Sequence, residues 1–172
     1  MKLTHFFILL FILSAFMYMF FNPQSSSNAI EEDVAQMEIE DFTLYEIDKT
    51  GVQSVVSGTL GRQYTEHYDV ENAHYVENKN KRGEHLYADK GRFEKDIVYL
   101  DDNVRYFRED GLSFESDHAV YDTKKDLLNV PEAFILTQNE NIIYGRSLHY
   151  NSQTGQMRAK NIDANYYIQE KK

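Results

Sequence analysis

An all-β fold is predicted by three features of the sequence: short apolar segments of period two, turn-forming clusters between them, and an internal repeat. Composition agrees, since Tyr 13 and Phe 11 among 172 residues, with plentiful Val, Ile and Thr, favour pleated, half-buried surfaces over helices. Strands are predicted at 42–47, 52–57, 62–68, 73–76, 85–93, 97–100, 104–107, 112–121, 127–130, 133–137, 142–150 and 156–168. Clusters such as Asp48-Lys49-Thr50-Gly51, Asp101-Asp102-Asn103, Arg108-Glu109-Asp110-Gly111 and residues 151–155 separate them. No helical pattern lies between the strands, so an antiparallel meander is expected rather than βαβ units.

The repeat has a period of 28 or 29 residues. Leu86-Tyr87-Ala88-Asp89 with Gly91 and Phe93 matches Phe114-Glu115-Ser116-Asp117 with Ala119 and Tyr121, and then Ile143-Tyr144-Gly145-Arg146 with Leu148 and Tyr150. Seven residues after each aromatic comes an apolar residue, at Leu100, Leu128 and Met157. Each copy reads as a long strand, a polar turn and a return strand. The paired positions Ala88/Gly91, Ser116/Ala119 and Gly145/Leu148 are three apart, whereas side chains on one face of a strand are two apart. A bulge or corner at Asp89-Lys90, Asp117-His118 and Arg146-Ser147 would return both sets to one interior. Repeated bent hairpins then build a twisted antiparallel β-jelly roll or open sandwich: two packed sheets curling around an apolar interior.

The N-terminus has another character. From Leu3 to Phe21 only Thr4, His5 and Ser14 are polar, and as a helix these residues would be roughly 28 Å long, enough to span a bilayer core. Lys2 precedes the stretch and Glu31, Glu32 and Asp33 are the first charges after it, so the N-terminus is expected in the cytoplasm and the body exported. A cleaved signal peptide is the competing reading, with Ser27-Asn28-Ala29 as its cleavage site. Against it, the core from Phe6 to Phe21 is unbroken and bulky to its end. The expected organisation is a transmembrane anchor at 1–21, a linker at 22–40, the β domain at 41–168 and a charged tail at 169–172.

Charge and composition exclude several function classes. The formal charge of −10 repels phosphate backbones, so nucleic acid is not an expected partner. With Cys 0 there are no disulfides, thiolate metal sites or Cys nucleophiles. The acidic pairs Asp101-Asp102, Glu109-Asp110 and Asp122 with Asp126 fall in predicted turns, where such residues serve the backbone. The six histidines show no tight ligand spacing, and neither a phosphate loop nor a nucleophile elbow occurs. No enzymatic activity, metal or cofactor is expected.

The pattern supplies instead an aromatic and aliphatic interior: Val56, Phe93, Leu100, Tyr106, Phe114, Tyr121, Leu128, Phe134, Leu136, Leu148 and Tyr150. The same periodicity suits a plain core or a groove; in an open sandwich these side chains would line a space for acyl chains, each buried methylene contributing about 0.8 kcal/mol. Ile162, Ala164, Tyr166 and Ile168 alternate along a terminal edge strand, and Phe42 and Leu44 lie on the opposite edge strand. Either edge could pair with another protein's sheet or be capped by its own charges.

The run Tyr87-Ala88-Asp89 through Leu100-Asp101-Asp102-Asn103-Val104, followed by Phe114 to Asp122, resembles the repeat shared by the LptC, LptA and periplasmic LptD families. In those families the turn commonly reads Gly-Asn-Val, and Asp102 stands here in place of the glycine. The later copies depart further, with Arg146 at the Asp position and Pro131-Glu132 where Asn-Val would fall. A short chain with one apolar N-terminal span and no barrel resembles the LptC family most. The resemblance implies a single-pass inner-membrane protein whose periplasmic β-jelly roll binds lipopolysaccharide. It further implies receipt of that lipid from an inner-membrane ABC transporter (LptBFG-like) and delivery to an LptA-like periplasmic protein, with residues 3–21 held in the inner membrane. Two alternatives are a membrane-anchored scaffold without a lipid ligand and a cleaved LptA-like periplasmic shuttle.

Overall fold

The computed structural model describes residues 34–79 and 82–167. They form nine antiparallel strands: β1 (Met37–Asp48), β2 (Gly51–Gln63), β3 (His67–Lys79), β4 (Arg82–Glu94), β5 (Ile97–Arg108), β6 (Leu112–Asp122), β7 (Leu127–Gln138), β8 (Asn141–Asn151) and β9 (Gln156–Asn165). Spatial order equals chain order, so the sheet is one open meander with β1 and β9 as its edges. The predicted span at residues 3–21, the linker up to residue 33, Ile168 and the charged tail all lie outside the described residues. No helix long and apolar enough to cross a membrane occurs among those described.

Two expectations are corrected. Twelve predicted strands become nine because the breaks expected at 101–103 and 131–132 are absent and the strand expected at 62–68 is divided between β2 and β3. Each of those two segments sits inside one strand, where register slips between Asp101 and Val104 and between Val130 and Ala133 before pairing resumes with the same neighbour. The predicted strand at 62–68 straddles a real turn, closed by Tyr64 N–H donating to the His67 carbonyl. Gln63 to His67 contains no Gly, Pro, Asn or Asp, so that turn carried no sequence signal. The strand set also begins earlier and ends sooner than expected, at Met37 and Asn165.

Two separate sheets are likewise replaced by one sheet with a seam. Left-handed residues lie near the middle of β1 (Asp41, φ 45), β3 (Asn72, φ 49), β5 (Asp102, φ 62; Asn103, φ 53), β8 (Ser147, φ 52) and β9 (Asn161, φ 51). In β4 and β6 the register slips between Tyr87 and Lys90 and between Ser116 and Val120, at the corners the repeat predicted. Asn and Asp tolerate this backbone region better than other side-bearing residues, which explains their place inside strands. Asp102 thus occupies a conformation that glycine adopts without steric cost.

The seam divides the sheet into two wings. Wing A contains residues 37–40, 60–63, 67–71, 90–94, 97–101, 118–122, 127–130, 148–151 and 156–160; wing B contains the strand residues on the other side of the seam. The buried core flanks the seam: Ala88, Leu100, Val104, Phe114, Ala119, Val130, Phe134 and Leu148. Beside the seam in wing B a small residue makes room for a large neighbour: a Cβ added at Gly145 would lie 2.5 Å from the ring of its cross-strand partner Phe134. In wing A, Tyr121 donates a hydrogen bond to Asp126 at 2.8 Å, and burial, then that bond, raises its pKa.

Candidate functional site

Register defines the inner face of this folded sheet without a gap. In wing A, successive cross-strand partners form the row Met37, Gln63, Tyr68, Phe93, Val98, Tyr121, Leu128, Tyr150, Met157, one residue from each strand. In wing B the corresponding row is Leu44, Val56, Tyr75, Leu86, Tyr106, Phe114, Leu136, Ile143, Ala164. Neither row contains a charged side chain, and both run from one edge of the sheet to the other. Between them lies the buried seam, so the inner face forms a cleft with a packed apex and half-exposed walls.

All eleven residues assigned to the interior from sequence lie on this face. Leu100, Phe114, Phe134 and Leu148 are part of the buried apex, and Tyr106, Leu128 and Leu136 pack against it. Val56, Tyr121 and Tyr150 are half-buried, while Phe93 is 41% exposed. Met37, Tyr68, Val98, Tyr75, Leu86 and Ile143 extend the walls and were missed. Leu86 and Ile143 head repeat copies and were passed over all the same, whereas β1 to β3, which hold Met37, Tyr68 and Tyr75, carry no clear copy of the repeat.

The edge residues divide. Phe42, half-buried on β1, lies over two glycines of β2, where an added Cβ would meet its ring at 3.2 Å from Gly58 and 2.8 Å from Gly61. Leu44 on the same strand is exposed. Ile162 lies against Gly145 and Ala164 pairs with Ile143. Tyr166 follows the end of β9 rather than extending it and is largely exposed.

Polar groups gather at the rim of wing B. Ser54 Oγ donates to Glu46 at 2.8 Å, and cross-strand pairing continues from Ser54 to Glu77, Glu84 and Arg108. Burial pushes the Tyr75 hydroxyl up to about 12, and the neighbouring Glu77 charge adds to it. Burial likewise raises Tyr106, followed by its hydrogen bond to Glu84. Both phenols stay neutral, with their hydroxyls among the polar groups of the rim.

The two edges differ in charge. β1 carries Glu38, Glu40, Asp41, Glu46 and Asp48 and no Lys or Arg, whereas β9 carries Arg158 and Lys160 against Asp163, beside Arg146 and His149 of β8. Each edge strand has one neighbour, leaving half of its backbone groups without a partner inside the sheet.

The acidic pairs hold structure. Asp122 accepts the backbone N–H groups of Lys124 and Lys125 within the β6–β7 turn. Asp101 and Asp102 lie at the seam, not in a turn, where Asp101 bonds His118 at 2.8 Å and Asp102 pairs with Lys90 at 3.1 Å. No group of three or more metal-binding side chains occurs among the described residues. His74 and His85, eleven positions apart in sequence, do meet across β3 and β4, with ring nitrogens 3.4 Å apart; only strand register brings them together.

No curated protein matches the chain. Among solved structures it is similar to LptH, the LptA-homologous periplasmic component of the lipopolysaccharide transport device from Pseudomonas aeruginosa. The identity is 17% and the TM-score 0.40, over 77% of this chain and 94% of that one. The sequence profile for lipopolysaccharide-assembly, LptC-related proteins matches residues 7–166. That match spans nearly the whole chain, which belongs to the LptC-related family of lipopolysaccharide-assembly proteins, a family of transport proteins and not of enzymes.

Proposed function

We propose that the chain receives lipopolysaccharide from an inner-membrane ABC transporter, shelters its acyl chains between the two wings and passes it to an LptA-like periplasmic protein. The observation that supports this most directly is the pair of uncharged inner-face rows running unbroken from β1 to β9. Hydrocarbon sliding along them would stay against apolar or neutral aromatic side chains at every strand, with each buried methylene contributing about 0.8 kcal/mol. The half-exposed walls, including Phe93 and Tyr121, are the surfaces an acyl chain would cover.

On this reading the lipid enters beside β1 and leaves beside β9, and each edge strand pairs with the sheet of a neighbouring protein. The acidic β1 calls for a partner edge with basic groups, and the basic β8–β9 surface for an acidic one. Residues 3–21 would hold the protein in the inner membrane, cytoplasmic end first, and keep β1 near the transporter.

Photo-crosslinking tests the cleft. A reactive group at Phe93 or Tyr121 is expected to form adducts with lipopolysaccharide in a working transporter, and Phe93→Asp or Tyr121→Asp to abolish loading while the domain stays folded. A functioning transporter that yields no adduct from either position would sink the proposal. Truncation after Asn161 tests the exit, with lipid binding expected to persist and capture of the LptA-like partner to be lost.

A further inference from the structure

The outer face of wing B carries a pair of histidines that the cleft does not use. His74 precedes the inner-face residue Tyr75 on β3 and His85 precedes Leu86 on β4, so strand alternation sends both to the opposite side of the sheet. His74 Nε2 and His85 Nδ1 face each other at 3.4 Å, with the ring planes within 14°. The ring centres are 5.7 Å apart, about the greatest separation that such a nitrogen contact allows for two imidazoles. Both nitrogens therefore lie close to the line joining the ring centres, and their in-plane bonding directions point along it toward each other.

A proton shared between them is held slackly, since hydrogen bonds from N–H donors ordinarily reach only to about 3.2 Å. The rings themselves are fixed. His74 stacks on Tyr87 with centroids 4.1 Å apart and planes within 7°, and His85 lies within 7° of the same ring plane. Stacking resists tilting a ring out of this orientation more than sliding within it. Charge nearby selects the guest. The Arg105 guanidinium lies 5.8 Å from the Tyr87 ring centre, and no carboxylate joins His85, Tyr87, Arg105 and Phe107 in the lining of the open hollow beside the pair. A divalent ion would meet twice the repulsion of a monovalent one from Arg105, with no carboxylate ligand to offset it.

We propose that His74 Nε2 and His85 Nδ1 bind one monovalent closed-shell cation, copper(I), as a linear two-coordinate centre. Imidazole is a copper ligand, and two opposed nitrogens supply both bonds of a linear ion without a third protein donor. Zinc takes four ligands in a tetrahedron and finds here two, aimed head to head. With metal–nitrogen bonds of about 2 Å the two nitrogens stand about 4 Å apart, so the pair opens by about 0.6 Å, in the direction that stacking leaves free. The imidazole that donates the shared proton carries it on its other nitrogen instead, and both rings remain neutral. The site stands on the opposite face of the sheet from the cleft, so it does not depend on the lipid reading.

The test uses the untagged full-length chain in detergent micelles, with isotope-labelled histidine and under anaerobic conditions. Silver(I), which shares the linear preference and has no redox chemistry here, is expected to shift the His74 Nε2 and His85 Nδ1 resonances together and to split both by coupling to one silver nucleus. The chain should also withdraw one copper(I) from a coloured chelator. Zinc(II) should bind the pair at least about tenfold more weakly than silver(I). His74→Gln and His85→Gln should each weaken copper(I) binding at least about tenfold, with unchanged circular dichroism and unchanged lipid crosslinking at Phe93. Coupling to one histidine alone, or to neither, would overturn the site. Zinc(II) binding as tight as silver(I) would overturn the linear geometry, and silver(I) binding without copper(I) withdrawal would overturn the copper assignment, each without touching the cleft.

Discussion

The apex and the mouth of the cleft are built on the same face of the same strands yet solve different problems. At the apex, Val104, Val130 and Leu148 are almost completely buried, between 0% and 2% exposed, in one cluster with Ala88 and Ala119. Two residues farther along several of the same strands, Tyr106, Leu128 and Tyr150 keep part of their surface in solvent, and Phe93 keeps 41%. Tight packing joins the wings at one line, and the residues beyond it keep part of their surface in water. The stability of the fold and the surface available to a guest therefore reside in neighbouring rows.

This contrast predicts unequal costs along one face. Leu148→Ala should destabilise the domain by about 2–5 kcal/mol, because it empties a site whose neighbours are already fixed. Phe93→Ala should cost no more than about 1 kcal/mol, since much of that ring is already in water. Chemical denaturation of both variants compares them directly, and equal losses would break the distinction between apex and mouth.

Gly145→Val probes how closely β7, β8 and β9 pack within wing B. The new Cβ would lie 2.5 Å from the Phe134 ring and 2.7 Å from Ile162 Cδ1, and relieving that overlap should cost about 1–3 kcal/mol. Faster hydrogen exchange of the β9 amides than in the parent should accompany the loss.

Smaller effects are expected at the seam itself. Asp102→Gly releases a left-handed aspartate while giving up an exposed ion pair with Lys90. The net change should be a gain of about 0.5 kcal/mol, read as a slightly higher thermal midpoint. The smallest effect is expected from His118, whose pKa is raised first by the hydrogen bond to Asp101, with the Glu132 charge adding. A raised histidine pKa stabilises the folded state fully below the ordinary value near 6.5 and loses that contribution as pH rises through the folded value. Since the side chain is 38% exposed, the loss should be only a few tenths of a kcal/mol. His118→Asn should flatten that part of the stability profile.

Much of the site was legible because the repeat is strict where the packing is tight. The three-residue spacing of Ala88/Gly91, Ser116/Ala119 and Gly145/Leu148 located corners from parity alone, and the register slips in β4, β6 and β8 lie there. The rows of β1 to β3 were less legible. Gly58 and Gly61 take the inner positions beneath Phe42, so the small residues that shape that end leave no apolar alternation to read. Asp102-Asn103 misled for a related reason: the residues that make turns are also those that tolerate a left-handed bulge inside a strand.

What the sequence by itself determined is local: strands with inward and outward parity, corners at fixed positions in a repeat, and an interior without charge. These follow from side-chain periodicity and backbone preference, which act over a few residues. Tertiary structure alone decided that the corners align into one seam across nine strands, that two uncharged rows join edge to edge, and that His74 and His85 become neighbours. Cross-strand register is set by packing both wings against one apex, and no single strand contains that information.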